Sequence, residues 1–223
     1  MNRYENVIAH SGSAVISSNK VIKNTYMLLS ATLGFSALMA VVSMAVGVPP
    51  ITYLVSIIAA MVLGIFVLPK AAQSSKGLGV IFLITGLLGF GLGAVLSQYL
   101  ALPNGPQVIA TAFAGTGIIF LGLSGYALTS KRDFSFMGGF LFAGMMVVVI
   151  AMLANIFLQL PALSLAVSAG IILLMSGFIL FDTSRIIKGG ETNYIMATYG
   201  LYLTIFNIFI SLLQILGIMG GDE

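Results

Sequence analysis

Four stretches of the chain, residues 24–69, 77–130, 134–181 and 192–221, contain no Asp, Glu, Lys or Arg. A helix needs about 20 mostly apolar residues to cross the hydrocarbon of a bilayer. Each stretch therefore holds one crossing, and the first three are long enough for two. Charged residues make up 7% of the chain, against about 25% in soluble domains, too few to clothe a surface facing water. The net charge of +3 comes from nine Lys and Arg scattered over the sequence, so there is no basic face and no nucleic-acid partner. With no Cys, disulfides, thiolate chemistry and thiolate metal sites are excluded.

Prolines and turn residues divide the long stretches. Pro49-Pro50 interrupts the first, Pro103-Asn104-Gly105-Pro106 the second and Pro161 the third, and such residues are the strongest local breakers of a helical pattern. The division predicts spans near 24–48, 51–69, 77–101, 107–130, 135–159, 162–182 and 193–217. The fold class is an all-α integral membrane protein, a seven-transmembrane helix bundle. Every basic residue falls in the tail (Arg3, Lys20, Lys23) or in alternate connections (Lys70, Lys76; Lys131, Arg132; Arg185, Lys188). The positive-inside rule then predicts a cytoplasmic N-terminus and a periplasmic Asp222-Glu223 end. Residues 1–23 read as a flexible cytoplasmic tail and 24–223 as one domain of three hairpins plus a last helix. The polar leader, with Glu5, favours an anchoring first span over a cleaved signal peptide.

Intramembrane enzymes need parts that this chain lacks. Gly122-Leu123-Ser124-Gly125 matches a serine-protease pattern, but the single histidine, His10, lies in the tail, and a serine nucleophile needs a base beside it. Asp182 is alone near the membrane, whereas an aspartyl dyad needs two carboxylates. One His and no Cys cannot build a zinc site. No catalytic residue, cofactor or metal site is expected.

Small residues recur along one face of the third span at Gly86, Gly89, Gly93 and Ser97, a surface for close helix packing or the lining of a narrow path. On the seventh span Gly200, Thr204, Asn207, Ser211 and Gln214 form a continuous polar stripe. Such a face must turn away from lipid, which makes the seventh helix central, and the stripe serves as interhelical glue or as a polar pathway. Asn155 and Gln159 in the fifth span are placed to hydrogen-bond to it. Asp182 is expected at the end of the sixth span with Arg185 three residues on. The pair reads as an interfacial ion pair or as a titratable gate.

Residues 180–195 (LFDTSRIIKGGETNYI) and 200–217 (GLYLTIFNIFISLLQILG) resemble the C-terminal signature of the Bax inhibitor-1 family. Residues 132–144 (RDFSFMGGFLFAG) and 155–163 (NIFLQLPAL) are similar to its bacterial branch, and the resemblance continues from 24–37 (NTYMLLSATLGFSA). It implies seven helices with the last at the centre. The family's ion-handling pair of aspartates maps onto Asp182 and, in the seventh span, onto Thr204, so the second acid is missing. Where many members have Gly-Pro in the third span, this chain has Gly93-Ala94. The resemblance implies a regulatory protein of the bacterial inner membrane that binds an FtsH-type AAA protease and limits degradation of membrane substrates. The serine-rich segment 1–19 suits a handle for such a protease. The rival implication is a pH-sensitive leak for cations such as calcium.

Overall fold

A computed structural model describes residues 3–130 and 132–220, with side chains from Asn19 onward. Lys131 and the Asp222-Glu223 end lie outside the described residues. The chain forms α1 (Arg3–Val46), α2 (Ile51–Ala71), α3 (Lys76–Leu100), α4 (Gly105–Ser130), α5 (Gly138–Leu158), α6 (Pro161–Ile187) and α7 (Tyr194–Met219). A 3-10 turn, Ser135–Met137, leads into α5, and α2 contains one π-helical turn, Leu63–Val67. Among the described residues, seven helices are long and apolar enough to cross a membrane, the first of them over Asn19–Val46.

The span ends follow local chemistry. Past α1, Gly47 adopts φ +69 and its N–H reaches the Ser43 carbonyl at 3.1 Å; a residue in this left-handed region ends a helix and leaves its last carbonyls satisfied. Past α6, Gly189 has φ +75, Gly190 N–H bonds to Arg185 O at 2.8 Å and Gly189 N–H to Ile186 O at 3.2 Å. That pair of bonds is the Schellman motif. It places the end of α6 at Ile187, beyond the expected 182, because charged side chains do not stop a helix whereas a left-handed glycine does. α1 is helical from Arg3, through the segment that the sequence reads as a flexible tail, since lengthening an existing helix avoids the cost of nucleating a new one.

In chain order the spans make three antiparallel pairs, α1–α2, α3–α4 and α5–α6, before α7. Lateral packing differs from chain order: α1 and α2 both lie against α3, and α7 packs on α1, α3, α4 and α6. Leu201, Tyr202 and Ile208 of α7 are almost wholly buried, as are Leu29, Ile81, Ile84 and Ile179 on the surrounding helices. The apolar side chains of α5 project largely outward, among them Phe142, Val147, Ile150 and Phe157.

Asn193 positions the start of α7. Its side-chain oxygen accepts from the N–H groups of Ile195 (2.9 Å) and Met196 (3.3 Å), while its amide donates to the Ala72 carbonyl at 2.8 Å. One residue therefore caps α7 and ties it to the end of α2. At the same basic end, Asp133 accepts from the Ser135 N–H at 2.9 Å. Hydrogen bonds from that N–H and from the Ser135 hydroxyl hold this exposed carboxyl below its usual range.

Candidate functional site

Asp182 lies more than a helical turn before the end of α6, with Gly200 of α7 opposite its carboxylate. A Cβ on Gly200 would stand 3.3 Å from Asp182 Oδ2. The expected Asp182–Arg185 ion pair does not form. Arg185 instead reaches Glu191 at 3.7 Å, and its guanidinium lies 5.5 Å from the centre of the Phe181 ring. The cause is the turn after α6, which folds the chain back and delivers a second acid to Arg185. Thr204, one turn along from Gly200, donates its hydroxyl to the Gly200 carbonyl at 3.0 Å, so it completes its own helix.

Beside Asp182 a cluster of hydroxyls joins three helices. The Tyr26 hydroxyl of α1 meets the hydroxyl of Ser124 on α4 and lies 3.5 Å from Thr183 Oγ1 on α6. Ser124, the serine of the protease-like tetrapeptide, is thus a buried packing partner of a tyrosine. A second junction was not legible as such. The Tyr202 hydroxyl, in the heart of the bundle, pairs with Ser36 Oγ at 2.6 Å and donates to the Thr85 carbonyl at 3.4 Å, linking α7 to α1 and α3.

The small-residue stripe of α3 faces α1. A Cβ on Gly86 would fall 2.7 Å from the Phe35 ring, one on Gly89 2.7 Å from the Ser36 carbonyl carbon, and one on Gly93 2.6 Å from Ser43 Cβ. Ser97 bonds back to the Gly93 carbonyl at 3.0 Å. These glycines let the two backbones approach closely.

The outer part of the α7 stripe has different surroundings. Asn207, Ser211 and Gln214 floor a cavity of about 560 Å³ walled by α2, α3, α5 and α6. Gln214 accepts from Ser168 Oγ of α6 at 2.9 Å, and Asn207 donates to the Leu203 carbonyl at 2.8 Å. Asn155 is in the wall, but its amide goes to Ser164 of α6 at 2.6 Å and its side-chain oxygen to the Leu160 N–H at 3.0 Å. Gln159, expected on the same face, leaves the helix: it caps α5 in the left-handed conformation, φ 51. The Pro161 turn forces that exit. Among the described residues the lining includes no charged side chain and does not include Asp182. At the end nearer the basic face stands Tyr199, close against the π turn of α2, where a Cβ on Gly64 would be 2.6 Å from Tyr199 Cζ. The structure thus divides the stripe between two neighbourhoods, Gly200 beside Asp182 and Asn207 to Gln214 in an uncharged cavity.

The fold has relatives along its whole length. The family described as Inhibitor of apoptosis-promoting Bax1 matches residues 18–221. An uncharacterized membrane protein of Vibrio cholerae is 55% identical over 93% of both chains. The Escherichia coli protein named Modulator of FtsH protease YccA is 48% identical over 96% of this chain and 97% of its own, and a protein of another Escherichia coli strain, named Inner membrane protein YccA, matches with the same identity and coverage. An uncharacterized protein of Pseudomonas aeruginosa is 50% identical over 91% of each. With seven spans and relatives of this kind, the chain is a multi-pass protein of a bacterial inner membrane and belongs to the Bax inhibitor-1 family.

Proposed function

We propose that this protein is a non-enzymatic regulator that binds an FtsH-type AAA protease in the inner membrane and limits its action on membrane substrates. The observation that carries the reading is the 48% identity, over nearly the whole of both chains, to a protein named as a modulator of that protease. The basic end, with Lys20, Lys23, Lys70, Lys76, Arg132 and Lys188, is the cytoplasmic one by the positive-inside rule. The helix from Arg3 to Asn19 then projects on the side where a AAA motor works.

The physical logic is resistance to extraction. A motor that grips the N-terminal segment meets little opposition until it reaches a bundle knitted by Tyr202 to α1 and α3, by Asn193 to α2 and by the close α1–α3 seam. A slow substrate occupies the protease and spares others. The test is affinity capture of the protease by the tagged chain from detergent-solubilised membranes, paired with the half-life of a second membrane substrate. Capture with a lengthened half-life is expected; absence of capture removes the reading.

The cation leak ranks lower on one specific ground. The carboxylate of Asp182 faces Gly200, and the position of the family's second aspartate is Thr204, whose hydroxyl bonds within its own helix. A carboxylate pair sharing a proton cannot form from these residues.

A further inference from the structure

We infer that the cavity over Asn207, Ser211 and Gln214 is a lateral docking groove for one transmembrane helix of a partner protein that carries amide or hydroxyl side chains along one face.

The groove holds polar groups with hydrogen-bonding capacity left over. Among the described residues Ser211 Oγ has no partner, the Asn207 side chain bonds only through its amide N–H, and that of Gln214 only through its oxygen. Such capacity is expensive to leave unused in hydrocarbon, and a lipid tail has nothing to offer it. The described lining contains no Asp, Glu, Lys, Arg or His, so these residues offer no charged group to hold an ion or an ionic headgroup. The occupant that fits is neutral and brings donors and acceptors of its own.

Spacing and length select a helix. Positions 207, 211 and 214 span one heptad of α7, about 10 Å along its axis, the same repeat at which a docked helix presents side chains. The lining runs along α7 from Tyr199 to Gln214, about four helical turns against which a neighbouring helix can lie lengthwise. Its walls include Met61 and Met152, side chains that adapt to whatever packs on them. On the proposed function, on which this assignment of the partner rests, the helix belongs to the membrane anchor of the protease.

The natural absence of Cys allows a direct test. The full chain carrying Met152→Cys is reconstituted in phosphatidylethanolamine–phosphatidylglycerol vesicles. The probe is a leucine-based spanning peptide with two Asn residues seven apart and one Cys, compared with its all-leucine counterpart. Oxidative cross-linking to the Asn peptide should exceed that to the all-leucine peptide by about eightfold, the effect of two interhelical hydrogen bonds of average strength. The preference should vanish with Asn207→Leu. It should also vanish with Met61→Trp, which narrows the groove from a half-exposed position and leaves the core untouched.

A cysteine at the outward-facing Phe142 should show no preference. Equal cross-linking of both peptides, or a preference indifferent to both groove variants, overturns the inference. So does disulfide dimerisation of the Met152→Cys chain without peptide, which would make a second copy the occupant. Protease capture by the unaltered chain is scored separately. Peptide docking without capture overturns the proposed function and leaves the groove, whereas capture without peptide docking overturns the groove alone.

Discussion

Asp182 meets α7 at Gly200, where no side chain stands between them: a Cβ at position 200 would be 3.3 Å from Oδ2 and 3.9 Å from Cγ of the carboxylate. Glycine at this point makes room for an acid inside the bundle. Gly200→Leu should therefore destabilise the protein by about 1–3 kcal/mol through crowding. Adding Asp182→Ala should recover at least half of that loss, because the two side chains compete for one space. The measurement is thermal unfolding of the purified protein in micelles. Additivity of the two substitutions within about 0.5 kcal/mol would mean that the residues do not face each other.

The α1–α3 seam offers a cleaner contrast between glycines. Gly89 has no room for a methyl group, since its Cβ would press on the Ser36 backbone as well as on its hydroxyl, while around Gly117 of α4 nothing lies within 4 Å. Backbone cannot rotate away as a side chain can, so Gly89→Ala must push the helices apart. A loss of about 1–3 kcal/mol is expected, with Gly117→Ala close to neutral in the same unfolding assay. Equal behaviour of the two variants would deny the close approach.

Much of this was legible in the residues. The charge-free stretches and their proline breaks yield seven spans because membrane crossing is set by length and apolarity, both local properties. The glycine stripe of α3 and the polar stripe of α7 are also local, since periodicity reveals which face a helix turns inward. Periodicity does not reveal what that face meets. Depth alone pairs Asn155 with α7, yet it bonds to Ser164, its neighbour across the α5–α6 turn. Helical spacing alone pairs Arg185 with Asp182, while the turn at Gly189 brings Glu191 to it. The Gly189-Gly190 pair was the available signal that α6 runs on to Ile187. The cavity is a property of four walls and a floor, and no single segment encodes it.

Asn193 has two separable tasks, and two substitutions can separate them. Asn193→Ala removes the cap from the Ile195 and Met196 N–H groups and the bond to Ala72, and should cost about 1–2 kcal/mol, the upper part of the range for a lost cap. Asn193→Ser restores an oxygen for the cap but no amide for Ala72. It should fall between the wild-type chain and the alanine variant in thermal unfolding. A serine variant no better than alanine would place the whole effect in the tether to α2.

The N-terminal segment bears on the proposed mechanism most directly. α1 begins at Arg3, and its charge-free stretch begins at Asn24, so the sequence puts the charged and polar residues 3–23 ahead of the span. An isolated helix of this length is marginal in water, and a AAA motor can melt and thread such a segment. Resistance starts further in, where Leu28, Leu29 and Thr32 are buried in the bundle. Deleting residues 2–17 keeps Lys20 and Lys23, and with them the charge bias that sets orientation. The shortened chain should insert normally, be recovered in the membrane fraction at the wild-type level, and persist several-fold longer in cells with active protease. Binding should survive if helix contacts inside the bilayer supply it. Protease-dependent turnover at the wild-type rate would show that the motor grips elsewhere, and the loops at 71–76 and 187–194 would become the segments to shorten next.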